Sequence, residues 1–129
     1  YSNPGQRQYL RRNDGAFEEI VLGINLDGIG YREGASAYSL YDCPPGVGDL
    51  AAETFAAYPD LVEGELWYQG DHSILLMNER PAIALTSERI FDLLSEVVHT
   101  PEDRSEIVAP ERLVNAARAL RGFLVAMDG

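Results

Sequence analysis

The chain has 129 residues, which is one ordinary domain and no room for two. Hydrophobic residues at 46% and charged residues at 24% fit a globular chain and exclude a disordered one. A net charge of -11, from 21 acidic and 10 basic residues, argues against binding a phosphate backbone, and no run nears 18 uninterrupted apolar residues, so no membrane span is expected.

Tyr1-Ser2-Asn3-Pro4-Gly5 reads as turn or extended chain. It has neither the charge nor the apolar run of a signal peptide. Residues 6–12 predict a short polar helix, closed by the turn Asn13-Asp14-Gly15. Ile20-Val21-Leu22-Gly23-Ile24-Asn25-Leu26 is a nearly continuous apolar run, as in a strand covered on both faces. It ends at Asp27-Gly28-Ile29-Gly30, where glycine permits a sharp turn. Ala37-Tyr38-Ser39-Leu40-Tyr41 alternates as a second strand does. Asp49 is placed to cap a helix that runs to about Tyr58, before Pro59. Residues 63–70 look irregular, and residues 72–79 predict a short helix. Ala82-Ile83-Ala84-Leu85-Thr86 is a third apolar strand.

Ile90, Phe91, Leu94, Val97 and Val98 recur at helical spacing, so residues 87–98 predict an amphipathic helix. Thr100-Pro101-Glu102-Asp103 carries a helix-start signature of cap, proline and first-turn acids. Pro110 opens the last helix, with Leu113, Ala117, Leu120, Leu124 and Met127 as its apolar stripe. The order predicts an α/β fold with a helix-flanked mixed sheet. Only three strands are legible, and three would leave an apolar edge, which native sheets avoid. Part of the sheet is therefore expected outside this chain.

The lone Cys43 excludes an internal disulfide framework and a cysteine-rich zinc knuckle. Two histidines, His72 and His99, each stand beside carboxylates. Asp27 follows an apolar strand, and the carboxyl ends of strands are where open α/β sheets form their crevice. Carboxylate and imidazole are both zinc donors. Taken singly, each residue has a commoner structural reading: a turn cap for Asp27, a helix cap and surface histidine for Asp71-His72, and a helix end for His99.

Taken together and in order, Asn25-Leu26-Asp27-Gly28-Ile29-Gly30, Gly70-Asp71-His72-Ser73, Arg80-Pro81-Ala82-Ile83-Ala84-Leu85 and His99-Thr100-Pro101-Glu102-Asp103 resemble the carboxyl-terminal half of the zinc-dependent aminopeptidases. That family includes aminopeptidase Y and the bacterial leucyl aminopeptidases. The resemblance spans almost the whole chain, so residues 1–129 are expected to be the carboxyl-terminal part of one zinc-peptidase catalytic domain. It implies a co-catalytic pair of zincs that hydrolyses amino-terminal peptide bonds of a peptide substrate. Asp27 matches a ligand of one zinc and His99 a ligand of the other. Asp71, before His72, matches a pocket acid that is not a ligand. Asp103 matches the acid that orients the His99 loop. Tyr41, Trp67 and Tyr68 are candidate pocket walls. Arg104 stands where the family usually has Thr, and Gly28 where it often has Met.

The resemblance also implies what is missing. The first histidine, the bridging aspartate and the acid pair that supplies the general base lie upstream of the Asp27 strand. Residues 1–12 resemble the segment that follows the acid pair, so the general base is expected before Tyr1, in a missing amino-terminal half. Glu18 and Glu19 stand in the wrong place to be that pair. The fragment alone is expected to be inactive. Two alternatives keep the fold: a glutaminyl cyclase-like enzyme with one zinc, in which the acid matching Asp27 moves protons, or a non-catalytic binding domain.

Overall fold

The computed structural model describes residues 3–129, and the apolar runs of the sequence form strands of a mixed sheet. In chain order the elements are α1 (Pro4–Arg12), β1 (Gly23–Leu26), β2 (Ser36–Tyr41), α2 (Pro45–Phe55), β3 (Leu61–Glu63), α3 (Ser73–Met77), β4 (Ala82–Ser87), α4 (Ile90–Asp92) and α5 (Pro110–Asp128). Tyr1 and Ser2 of the expected amino-terminal turn lie outside the described residues. The rest of that turn is helix: Asn3 caps α1 by accepting from the Gln6 N–H at 3.1 Å, and Pro4 occupies the first turn.

The fold is α/β, with four strands in the order β1-β4-β2-β3 and helices on the sheet's flanks. β4 runs parallel to β1 and antiparallel to β2, and β2 runs parallel to β3. β4 is buried along its whole length, which accounts for its unbroken apolar run. Its side chains alternate between two cores. Ile83 and Leu85 pack with Tyr38, Phe55, Ala116, Ala119 and Phe123 under α2 and α5. Ala82 and Ala84 pack with Tyr41, Trp67 and Ile90 on the other face. The buried Phe55 and Phe123 rings sit 5.7 Å apart and pin α2 to α5 across the first core. Burial of each ring contributes about 2 kcal/mol.

Four sequence expectations are corrected. A fourth strand, β3, forms from three residues beside β2, too short to carry a period. α2 starts at Pro45, not Asp49, because proline's fixed φ suits a first helical position. Residues 100–103 form no helix: the Thr100 hydroxyl donates to the Val97 carbonyl at 2.6 Å and accepts from the Glu102 N–H. On α5 the buried face is Ala116, Ala119 and Phe123, while Leu113, Leu124 and Met127 of the expected stripe are exposed. Two apolar faces lie side by side on this helix, and periodicity alone chose the larger residues.

β1 is an edge strand. The sequence predicts neighbours on both sides of it, and the described chain supplies only β4. The strand is also shorter than the expected run of residues 20–26 and is not covered on both faces: none of its four residues is fully buried, Leu26 at its end is 47% exposed, and Val21, two residues before it, is 81% exposed.

Candidate functional site

β1 and β4 run parallel and end together, and the Asp27 N–H donates to the Leu85 carbonyl at 3.1 Å as the last rung between them. Gly28 then turns the chain away with φ +69, a conformation that costs other residues. A side chain there would also meet the Thr86 hydroxyl at 3.1 Å. The turn sets Asp27, exposed, on the rim of a cavity of about 540 Å³.

The same cavity is lined by Asp71 and His99. Three residues 28 or more positions apart in sequence are thus gathered at the carboxyl end of two parallel strands, the usual place for a crevice in such sheets. Ile90, Leu93, Leu94 and Val98 form an apolar wall, with Tyr68 beside it. Asn3, which caps α1, and Gln6 within it close another side. A second cavity of about 600 Å³, lined by residues such as Asp14, Glu79 and Arg80, holds none of the expected site residues.

His99 is held by unusual backbone. The helix begun by α4 widens into a π turn over Leu93–Val97, a rare form that clusters at functional positions. Two residues later His99 takes φ +62, in the left-handed region that an L side chain avoids. Such strain costs on the order of 1 kcal/mol and persists where the surroundings impose it. The next residue ties the segment down: the Thr100 hydroxyl donates to the Val97 carbonyl at 2.6 Å and the Glu96 carbonyl at 3.4 Å, and accepts from the Glu102 N–H at 3.2 Å.

His72 is not at the cavity. It is fully buried, between the rings of Tyr41 and Trp67. Its Nε2–H donates to the Trp67 carbonyl at 2.8 Å, and its Nδ1 faces the Asn25 amide at 3.2 Å. Tyr41 is likewise removed from the pocket wall: its hydroxyl donates to the Trp67 carbonyl at 2.5 Å and accepts from the Trp67 N–H at 2.8 Å. Burial pushes the Tyr41 phenol above its ordinary 10.0, against the lowering effect of the Trp67 bond. Trp67 touches the cavity but is only 2% exposed, whereas Tyr68 is 57% exposed. Asp103 does not line the cavity, and its carboxylate makes no hydrogen bond among the described residues; Thr100 holds the His99 loop instead.

The residues that sequence reasoning missed are framework and wall. Asn25 joins β1 to the Asp71 loop through His72, and Gly70 gives room for it: a Cβ there would lie 2.8 Å from His72 Nδ1 and 2.7 Å from the Trp67 ring. Leu94 and Val98 read as helix core from their spacing, and nothing in a sequence separates a core stripe from a cavity wall. Two buried polar groups beside the site, Trp67 Nε1 and Thr86 Oγ1, lack a partner among the described residues.

Neither Asp27 nor Asp71 has an ion-pair partner among the described residues, whose two ion pairs are Arg89–Asp92 and Arg104–Glu102. The cavity thus carries two carboxylates with no cationic partner among the described residues, which gives it a negative potential. No protein-family profile matches the chain, and no curated protein and no solved structure shows significant similarity to it.

Proposed function

We propose that the chain is the carboxyl-terminal part of a co-catalytic di-zinc aminopeptidase. The observation that carries this reading is the single cavity that gathers Asp27, Asp71 and His99 at the carboxyl ends of β1 and β4. A carboxylate and an imidazole are donors that zinc takes. The set is partial: among the described residues no three His, Cys, Asp or Glu side chains form a metal-holding group. Asp27 and His99 would each hold one of two metals, whose remaining donors and general base come from outside the chain. A bound zinc pair supplies an activated water and a polarised scissile carbonyl.

The chain's own residues supply the rest of the pocket. Asp71, exposed and without an ion-pair partner, suits the ammonium that every amino-terminal substrate carries. Ile90, Leu93, Leu94 and Val98 suit an apolar first side chain, whose burial would add about 2 kcal/mol to binding. The strained His99 fits a residue kept for a purpose other than stability.

The test is native mass spectrometry and aminoacyl-nitroanilide hydrolysis, on the 129-residue chain and on a polypeptide extended upstream of Tyr1. Two zincs and turnover in the longer protein, with none in the shorter, support the reading. One zinc moves the assignment to glutaminyl cyclase chemistry. A folded, metal-free longer protein makes the chain a binding domain. Turnover by the 129 residues alone sinks the predicted dependence on a missing half.

A further inference from the structure

Side-chain amides line the Asp27 cavity beside its carboxylates and its apolar wall, and two of them are fixed in one sense. Asn3 Oδ1 accepts from the Gln6 N–H at 3.1 Å, and Gln69 Oε1 accepts from the Tyr68 N–H at 2.9 Å. A main-chain N–H only donates, so the amide oxygen must face it and the NH2 group is left on the other side. Neither NH2 group has an acceptor among the described residues. The asparagines away from the cavity are set the opposite way. Asn13, Asn78 and Asn115 donate their NH2 groups to Tyr9, Ile74 and Asp60 at 2.8, 2.7 and 3.0 Å, and Asn25 faces His72. Two donors without acceptors on one cavity match acceptors on a ligand. These donors are neutral, and none of the chain's ten arginines lines the cavity, so a carboxylate would lack the fork that usually meets it. Asp27 and Asp71, in no ion pair among the described residues, repel one as well. A main-chain carbonyl is the matching acceptor, being neutral and carrying two lone pairs.

We infer that Asn3 and Gln69 set the length of peptide that the cavity selects, by donating to a neutral main-chain carbonyl beyond the ligand's first residue. A single amino acid has no such carbonyl. A dipeptide has a carboxylate in its place. Peptides of three residues or more are therefore favoured over dipeptides and single amino acids. The cavity volume of about 540 Å³ lies within the range of about 300–1,000 Å³ that encloses ligands of this size. The direction of the peptide, with its ammonium at Asp71 and its first side chain on the wall that holds Leu94, rests on the aminopeptidase reading; the two donors do not.

The test is ligand affinity of the 129-residue chain in EDTA, so that nothing depends on bound metal, followed by proton–nitrogen NMR, in which side-chain NH2 groups give their own signals. The ligands are leucinamide, leucyl-alanine, leucyl-alanine amide and the N-acetyl form of the last. Leucyl-alanine amide is expected to bind about tenfold more tightly than leucinamide, as two added hydrogen bonds allow, and to shift the NH2 signals of Asn3 and Gln69. Leucyl-alanine, with a carboxylate where the amide has its carbonyl, is expected to bind no better than leucinamide. Asn3→Asp and Gln69→Glu keep the oxygen that accepts from the main chain and remove only the NH2 group. Leucinamide and leucyl-alanine amide carry the same charge, so the added carboxylate acts on both alike. The preference between them is expected to shrink at least threefold in each variant. An unchanged preference in either variant, no preference in the parent chain, or leucyl-alanine bound as tightly as its amide overturns the inference. So does the absence of binding by all four ligands. The acetylated ligand separates this inference from the aminopeptidase reading. If it binds as tightly and shifts the same NH2 signals, the two donors stand and the amino-terminal reading falls. If acetylation abolishes binding and no preference for the longer amide exists, the reverse holds.

Discussion

His72 Nε2 and the carbonyl of Trp67 lie 2.8 Å apart, inside the second core. A carbonyl only accepts, so Nε2 carries the proton and Nδ1 is left to accept from the Asn25 amide. The ring thereby ties β1, two residues before Asp27, to the loop that carries Asp71. His72→Ala removes both bonds, orphans the Asn25 amide and opens a cavity between two rings. The expected loss is about 3 kcal/mol, since the cavity and the unmade bond add. Urea denaturation measures it. A loss under about 0.5 kcal/mol, the range of ordinary surface changes, would show that the imidazole ties nothing together.

Tyr41→Phe is the milder cut into the same frame. The Trp67 carbonyl keeps its bond from His72, and only the Trp67 N–H loses its partner. One orphaned buried N–H costs about 1–3 kcal/mol. The double variant with His72→Ala should cost more than the two single losses added, because the carbonyl then loses both donors. A double-mutant cycle by urea denaturation reads that coupling, and additivity to within about 0.3 kcal/mol would refute it.

Alkaline pH should unfold the chain earlier than its acidity suggests. Burial, reinforced by Glu63, raises the Tyr38 phenol above 10.0, and burial raises Tyr41. A raised pKa means that the native state holds its proton after the unfolded state has released it. The stabilising contribution is complete below pH 10 and is lost as pH rises from there towards the native values. Stability measured from pH 8.5 to 11 should therefore fall from about pH 10, and Tyr41→Phe should make the fall shallower. An alkaline limb of unchanged slope in Tyr41→Phe would assign it to other groups.

Elements whose residues face one environment were legible. β4 is buried on both faces and reads as an unbroken apolar run, and α1 is polar over residues 6–12, although its Asn3 cap and Pro4 read as a turn. Elements whose residues face two were not. α5 has a buried face of Ala116, Ala119 and Phe123 beside an exposed one of Leu113, Leu124 and Met127, and hydrophobicity ranks the exposed one higher. The site divides in the same way. Asp27 and His99 each had a commoner structural reading alone and stood out only through the ordered motifs that carry the resemblance. His72 came in by the same motifs and is core, because its partners, a carbonyl five residues back and an amide 47 residues away, leave no local mark.

Gly28→Ala tests whether the turn after Asp27 matters to the site or only to the fold. The φ of +69 costs an alanine about 1 kcal/mol, and its Cβ would press on Thr86 at 3.1 Å and Leu93 at 3.5 Å. The turn should relax by moving Asp27, since β4 beneath it is fixed. A modest loss of stability, about 1–2 kcal/mol by denaturation, should accompany a loss of zinc retention in the extended polypeptide of at least tenfold. Equal zinc affinity at reduced stability would make Gly28 a folding residue alone.

His99→Gly separates purpose from stability at the other ligand position. Glycine removes the cost of a side chain at φ +62, about 1 kcal/mol, and returns about the same in the greater freedom of the unfolded chain. His99 is exposed and makes no hydrogen bond through its ring among the described residues, so truncation should uncover no buried partner. The melting temperature should stay within a few degrees of the parent. Zinc retention by the extended polypeptide should fall to one ion or none. Ligand loss at unchanged stability is the signature of a residue held in strain for its chemistry. A large drop in melting temperature with zinc retained would make His99 a structural residue and leave Asp27 without its counterpart.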